Sequence, residues 1–429
     1  MLRLTSLFGL VVMIGLAWLL SSQRRSIRWR IVFGGLFLQF GFAGLILWTP
    51  PGLSAPIGSW LNEGIDFFFH HLESFVAKGA GFLFGIFPRD GDPELPPPIS
   101  LLRSFAFGVL PTIIVFSSLM SVLYYFGVMQ AIVKVMARAM QKTLAVSGAE
   151  SLAAAANVFV GHTEAPLVIR PYIDKMTSSE LHAVMVGGFA TISGGLLAAY
   201  AGMGISPGHL VTASVISAPA ALLISKVLRP ETETPQTMGS VEVHIPRKGV
   251  NVIEAAAIGA TDGMKLALNV AAMLLAFLAL IAMIDGAVGG IGWLLGFRDA
   301  SGAPTWSLAT GLGYAFAPVA WLMGIESSDC VHAGELLGLK TVANEFIAYE
   351  QLGRWLRPDS QVELSPRSVR ILTYALSGFA NFGAIGIQIG GIGGIAPNRR
   401  SDLAKFGLRA MIGGALACCM TACIAGVLT

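Results

Sequence analysis

Two carboxylates, Glu164 and Glu345, stand in short polar interruptions of otherwise apolar stretches. The first stretch is residues 157–172, NVFVGHTEAPLVIRPY, where Gly161, His162, Thr163 and Glu164 form a polar patch and Pro166 follows. The second is residues 336–352, LLGLKTVANEFIAYEQL, where Asn344 precedes Glu345. At membrane depth such groups are costly and by default mark a functional site. Glycine and proline beside the first patch interrupt a helix and leave backbone groups able to coordinate a ligand. A carboxylate at such a turn can accept from a ligand hydroxyl or ring N–H and can stabilise a nearby cation. Asn381 carries both a donor and an acceptor. Thr191 and Ser193 offer oxygens suited to a hard cation such as sodium, and Asn157 and Asn344 add further oxygen donors.

Each of these residues also has a structural reading. A glutamate can snorkel to the interface or pair with Arg170, an asparagine can join two helices, and a hydroxyl can bond its own helix backbone. The functional reading is favoured for Glu164 and Glu345 because both lie in interrupted segments. Asp262 and Asn269, seven apart at the start of one apolar run, share a helix face and read as support.

The elements that position these groups belong to a membrane protein. Of 429 residues, 54% are hydrophobic and 12% charged, about half the charge of an ordinary soluble domain. Apolar runs long enough to cross a bilayer recur along the chain, and no alternating pattern suggests a transmembrane barrel. The net charge of +3 is small and the basic residues flank apolar runs. They read as topology signals, so no nucleic-acid partner is expected.

Spans are expected at about 6–22, 31–49, 100–127, 181–203, 207–228, 266–295, 366–395 and 407–428, which makes eight crossings. Arg24, Arg25, Arg28 and Arg30 follow the first run, with no small-residue cleavage site, so it reads as an uncleaved span ending inside. Lys134, Arg138, Lys142, Lys226, Arg229, Arg399, Arg400 and Lys405 then also fall inside, while the loop at 204–209 has no Lys or Arg and that at 89–95 carries Asp90, Asp92 and Glu94. Arg354, Arg357, Arg367 and Arg370 break the rule. Residues 129–142 read as an interfacial amphipathic helix, and 229–250 as a solvated loop.

Segments 150–172 and about 330–355 are too interrupted to span and read as re-entrant hairpins. Each is followed by a similar broken sequence, FATISG at 189–194 and FANFGA at 379–384. Three elements per half, entering from opposite faces, give an inverted structural repeat. The fold class is thus an all-α polytopic membrane protein with about eight transmembrane helices and two re-entrant hairpins. Four units follow: scaffold spans and interfacial helix over 1–149, a first transport repeat over 150–228, a loop and scaffold span over 229–299, and a second transport repeat over 300–429.

Enzyme signatures are missing. There is no HExxH zinc pattern and no phosphate-binding GxxxxGK[ST]. Cys330, Cys418, Cys419 and Cys423 have no metal-ligand spacing and read as reduced structural thiols. His70, His71, His182, His209, His244 and His332 likewise lack metal spacing and read as interfacial.

With these residues in view, the chain resembles the concentrative nucleoside transporters. The matching stretches are GHTEAPLVIRPY (161–172), FATISGGLLAAY (189–200), SAPAALLISKVLRPETE (217–233), GATDGMKLALNVAAMLLAFLALI (259–281), LLGLKTVANEFIAYEQL (336–352), YALSGFANFGAIGIQIGG (374–391) and ACIAGVL (422–428). The resemblance implies a bacterial-type, eight-span, homotrimeric member of the cytoplasmic membrane, surrounded by lipid, that imports a nucleoside with Na⁺ or H⁺ by alternating access. It implies base contacts from His162, Thr163, Glu164 and Phe379, and ribose contacts from Glu345 and Asn381. It implies a cation site at Asn157, Val160, Thr191 and Ile192, the last three partly through backbone carbonyls. No cofactor is expected beyond the coupling ion. Two departures stand out: His162 replaces the family's usual glutamine, and Gly383 and Ala384 replace two serines, removing a hydroxyl near the sugar. A membrane-embedded enzyme acting on a nucleoside-like substrate, with Glu164 and His162 as an acid/base pair, is the rival reading; it lacks a nucleophile and a metal set.

Overall fold

The computed structural model describes residues 1–49, 56, 58–84, 105–239, 249–298 and 306–429. The acidic loop at 89–95, His244 and the start of the expected third span lie outside the described residues. The rest is helical. In chain order the helices are α1 (Leu2–Leu19), α2 (Trp29–Leu47), α3 (Ser59–Phe84), α4 (Leu110–Tyr125), α5 (Val128–Leu144) and α6 (Gly148–Asn157). Next come α7 (Ala165–Val168), α8 (Arg170–Ile173), α9 (Ser178–Ala190), α10 (Gly194–Gly202), α11 (Pro207–Leu228) and α12 (Val252–Leu294). The chain closes with α13 (Leu308–Leu322), α14 (Cys330–Val342), α15 (Glu345–Trp355), α16 (Pro366–Leu376), α17 (Phe382–Ile395) and α18 (Arg400–Leu428).

Among the described residues seven helical stretches are long and apolar enough to cross a membrane. They match the expected spans except for 366–395, which divides into α16 and α17 around the irregular segment 377–381. Two helices, α3 and α13, were not foreseen as separate elements, and a third, α12, is longer than expected. α3 carries Glu63, Asp66, His70, His71, Glu73 and Lys78 among its apolar residues, which hid it from a hydropathy reading. α13 is apolar but only 15 residues long. α12 has 43 residues, about 65 Å at 1.5 Å per residue, so it extends well beyond the expected 266–295.

The core lies where α9, α10, α11 and α18 meet. In the most apolar windows of 178–202 and α11, 89% of residues are buried, against 17% for α12. α12 packs along α4 and exposes most of its apolar side chains. α5 buries Met129, Val133, Ala137, Met140 and Leu144, the i, i+3, i+4 spacing of one face, which agrees with the amphipathic pattern of 129–142.

The basic residues sort between two ends of the bundle. At one end Ser22 N–H donates to Leu228, Arg30 donates to the carbonyls of Lys142 and Thr143, and Arg399 donates to those of Ile173, Asp174 and Met176. At the other end Arg3 donates to Thr429, and Arg367 donates to the carbonyls of Gly324 and Gly426. The exceptional Arg367 therefore caps helix ends, a role that charge counting along a sequence does not register.

Residues 230–238 expose Thr232, Glu233, Thr234, Gln236 and Met238, as expected of a solvated loop, but Glu231 and Thr237 tie the segment to the bundle. Glu231 accepts from Lys226 and from the Thr177 hydroxyl, 3.2 and 2.8 Å away. Thr237 receives Gly148 N–H at its carbonyl and Ala149 N–H at its hydroxyl. Buried Lys226 also pairs with Glu150 at 2.7 Å. Glu150 and Glu180 close capping boxes with Ser147 and Thr177 at the starts of α6 and α9. The segment thus fastens the starts of α6 and α9 to the end of α11, supplying partners to buried groups at those helix ends.

Candidate functional site

Glu345 opens α15, directly after the interruption between α14 and α15, and is 3% exposed. Its Oε1 accepts from the Tyr200 hydroxyl at 3.0 Å, and its Oε2 accepts from Asn381 Nδ2 at 3.4 Å. Asn381 is also the N-cap of α17, its Oδ1 accepting from Ala384 N–H at 2.8 Å. Asn344 caps α15 in the same way through Ile347 N–H at 3.0 Å. Both asparagines read as ligand donors therefore hold a helix start with one atom, and Asn381 keeps its amide N–H groups for the site. The Glu345 carboxylate thus lies beside two helix N-termini, whose partial positive charge stabilises it. Around it the Tyr200 and Tyr349 rings pack at a tilt of 36° with centroids 4.5 Å apart, and Tyr349 donates to the Thr373 carbonyl at 2.7 Å. Lys340, 3% exposed, donates to the Ala375 carbonyl near the end of α16.

The first interruption runs from Asn157, the last residue of α6, to Glu164, just before α7. Asn157 is 1% exposed and its Oδ1 has no hydrogen-bond partner. Its Nδ2 lies against Gly187 of α9, where a Cβ would come within 3.1 Å. Four residues on, Thr191 ends α9 with extended backbone and donates its hydroxyl to the Gly187 carbonyl. Ser193 caps α10 through Gly195 N–H, and its hydroxyl abuts Gly161. Asn157, Thr191 and Ile192 are buried and Val160 half-buried, so the turn at 158–164 faces the break between α9 and α10. An unpartnered amide oxygen beside non-helical backbone is a donor set of the kind a hard cation takes.

His162 is half-buried, and both ring nitrogens are shielded without a partner. Its ring meets Phe379 edge-on, with centroids 4.7 Å apart. Thr163 and Glu164 are exposed. Glu164 makes no side-chain hydrogen bond or ion pair among the described residues, so pairing with Arg170 is not seen. The structure therefore gathers Glu345, Asn381, His162 and Phe379, and separately Asn157, Val160, Thr191 and Ile192. It leaves Glu164 and Thr163 at the open side of the turn. Asn269 is exposed on α12 and Asp262 half-buried, with Leu266 between them touching Gly195.

The two breaks also touch each other. A Cβ at Gly378 would lie 2.8 Å from the Phe189 carbonyl oxygen, and Cys418 Sγ is 3.6 Å from the carbonyl oxygens of both Ala190 and Ser377. FATISG and FANFGA thus meet against the same stretch of α18. All four cysteines are free, three of them buried. His182 is fully buried against Ser225 and fills a gap between packed helices rather than lying at an interface as expected, whereas His209 is half-buried in the first turn of α11, its Nδ1 3.2 Å from the Tyr374 hydroxyl. No cluster of metal-ligating side chains occurs among the described residues.

Three buried polar residues of this region were not singled out from sequence: Tyr200, Lys340 and Gln388. Gln388, 1% exposed on α17, donates to the Met185 carbonyl at 3.2 Å. The available signal was a single amide in the apolar run FGAIGIQIGGIGGI.

Interrupted helices that turn their starts toward buried polar groups inside an apolar bundle are the arrangement of a secondary transporter. The chain belongs to the Na⁺ dependent nucleoside transporter family: the family's N-terminal model matches residues 8–87 and its C-terminal model residues 209–426, with a nucleoside recognition "Gate" model over 106–207. It is 46% identical to an uncharacterized transporter of Haemophilus influenzae over 99% of this chain and 97% of that protein. It is 40% identical to the sodium/nucleoside cotransporter 1 of Rattus norvegicus, covering 99% of this chain but 64% of that protein. Among solved structures it resembles CNTnw in an inward-facing substrate-bound state, with 43% identity, a TM-score of 0.87 and full coverage of both chains. A doubly substituted CNTnw in an outward-facing state matches with 42% identity and a TM-score of 0.88, covering 100% of this chain and 98% of that one. The chain is therefore a multi-pass membrane protein of a transporter family, and the enzyme reading falls.

Proposed function

We propose that the chain imports nucleosides across the cytoplasmic membrane in symport with sodium, by alternating access. The observation that carries this reading is the meeting of two helix interruptions around polar atoms without partners, on the chain of a Na⁺ dependent nucleoside transporter family member. Similarity to one protein solved in both inward- and outward-facing states supports the alternating cycle.

In this account sodium binds Asn157 Oδ1 and oxygens of Val160, Thr191 and Ile192. Its charge fixes the turn at 158–164, and that turn presents His162, Thr163 and Glu164 to the base. Phe379 lies against the base, while ribose hydroxyls donate to Glu345 and accept from Asn381 in place of Tyr200 and of the Asn381–Glu345 contact. Sodium is preferred to protons because the unpartnered donor is an amide oxygen, which binds a hard cation and does not titrate.

The architecture we propose counts the broken α16–α17 pair as one crossing, which gives eight, with 148–173 and 330–355 as re-entrant hairpins of an inverted repeat. The end holding Arg30, Lys226 and Arg399 faces the cytoplasm. The units 150–228 and 300–429 carry the substrate, with segment 230–238 fastened to the first. The scaffold of 1–149 and 229–299 supports them and presents the exposed apolar face of α12 to lipid and to other copies in a homotrimer.

Uptake of labelled uridine and adenosine into proteoliposomes tests the proposal. At fixed pH, replacing sodium by choline abolishes uptake. Uptake that survives choline and follows an imposed proton gradient would replace sodium by protons, and gradient-insensitive uptake would remove the symport reading.

A further inference from the structure

Gln388 is one of the few amide side chains buried in the apolar helices of the second half, and its chemistry is half used. Its Nε2 amide group donates to the Met185 carbonyl at 3.2 Å, which fixes the amide's orientation, and its Oε1 is buried without a partner. Leaving a buried acceptor unmet is unfavourable, so the position is explained by a donor that arrives from outside the chain.

Its neighbours indicate where that donor comes from. A Cβ at Gly188 would lie 2.7 Å from Gln388 Nε2 and 2.7 Å from His162 Cβ, so the two side chains flank the same bare stretch of α9. His162 also has both ring nitrogens unpartnered and its ring edge-on to Phe379. Asn381, Ala384 and Gln388 are buried at intervals of three and four residues, which places them along one side of α17. Gln388 therefore stands on the Glu345–Asn381 side of the helix, one turn beyond Ala384, beside the imidazole at the hairpin turn.

We infer that Gln388 is a specificity-determining residue whose Oε1 accepts a hydrogen bond from an exocyclic amine of the bound base. The inference rests on the nucleoside reading above. Neutral imidazole supplies one donor and one acceptor, so together the pair fits a base edge with an amine beside a ring nitrogen, as in cytosine and adenine. An oxo group at the same place sets lone pair against lone pair. The ring N–H of uracil is recessed between two oxo groups, whereas an exocyclic amine projects beyond the ring outline and reaches a side chain from the next helix.

The test uses the full chain in proteoliposomes with cytidine, uridine, adenosine and inosine as labelled substrates. In Gln388→Met, KM rises for cytidine and adenosine by about three- to tenfold relative to uridine and inosine, the factor for one neutral hydrogen bond. Gln388→Glu, which keeps an acceptor, retains the preference for the amine-bearing pair. Equal loss on all four substrates, no change, or a bias toward the oxo pair in wild type would overturn the inference. Should Gln388→Met not assemble, competition of wild-type uridine uptake by unlabelled cytidine and uridine decides it, weaker competition by cytidine being the contrary result. A wild-type protein that moves none of the four would instead overturn the nucleoside reading itself.

Discussion

Asn381 uses its two amide atoms on two different partners: Oδ1 accepts Ala384 N–H at 2.8 Å and caps α17, while Nδ2 donates to Glu345 at 3.4 Å. One side chain therefore sets where the second half of a broken helix begins and also contacts the buried carboxylate. The two roles separate by substitution. Asn381→Ser keeps a capping oxygen and loses the amide donor, so it keeps thermal stability in detergent and loses uptake. Asn381→Ala loses both and lowers stability by about 1 kcal/mol as well. Equal melting temperatures for the two variants would show that the cap is immaterial.

Glu345 is held by Tyr200, by Asn381 and by the starts of two helices. Glu345→Gln keeps the shape and removes the charge. A hydrogen bond to a charged group is worth roughly 1.5–3 kcal/mol, so kcat/KM for nucleoside uptake falls by about 10- to 150-fold at unchanged expression. Tyr200→Phe removes only the donor that the ribose hydroxyl replaces, so kcat/KM stays within about tenfold of wild type. A larger loss in Tyr200→Phe than in Glu345→Gln would contradict the placing of the carboxylate at the sugar.

At Gly188 both His162 of the turn at 158–164 and Gln388 of α17 lie against α9. Gly188→Ala forces His162 and Gln388 apart, since a methyl group there would lie 2.7 Å from each. Overpacking of this kind costs roughly 1–3 kcal/mol, and uptake falls with it. Gly15→Ala, at a glycine with open space around it, leaves uptake near the wild-type rate. Uptake in the two variants, normalised to protein in the membrane, makes the comparison.

The Lys226–Glu150 pair is buried, with side chains 2% and 1% exposed and 2.7 Å between charged atoms. Removing one partner strands the other. Lys226→Met alone destabilises the protein by about 3–5 kcal/mol, and adding Glu150→Leu recovers much of the loss. Thermal unfolding in detergent reads both effects. No recovery in the double variant would show that Lys226 acts mainly through Glu231 and the segment that follows α11.

Much of the site was legible because its polar residues interrupt apolar runs. Glu345, Asn381, Asn157 and Thr191 each stand where a helix must stop, and capping chemistry makes such places visible in one dimension. Gln388 and Tyr200 were not legible, since each sits within a helix whose sequence is apolar on every side and gives no period to say which face is buried, while Lys340 shares α14 with His332 and Glu335 and reads as one more surface charge. α3 was hidden for the opposite reason, its charges diluting the hydropathy of a 26-residue helix. The segment 230–238 is largely exposed, as its composition indicates, and what composition did not show is that Glu231 and Thr237 supply partners to the starts of α6 and α9. His182 was misplaced because a histidine buried against a serine leaves no mark in spacing.

The coupling of sodium to nucleoside is the central claim, and accumulation tests it most directly. Proteoliposomes with sodium outside and choline inside, at equal pH on both sides, are given labelled nucleoside at fixed concentration. The account predicts that the internal concentration rises above the external one and collapses to equality when a sodium ionophore is added, with Asn157→Leu failing to accumulate at any sodium gradient. Accumulation that persists after the ionophore, or that never exceeds equality in the wild type, would contradict it.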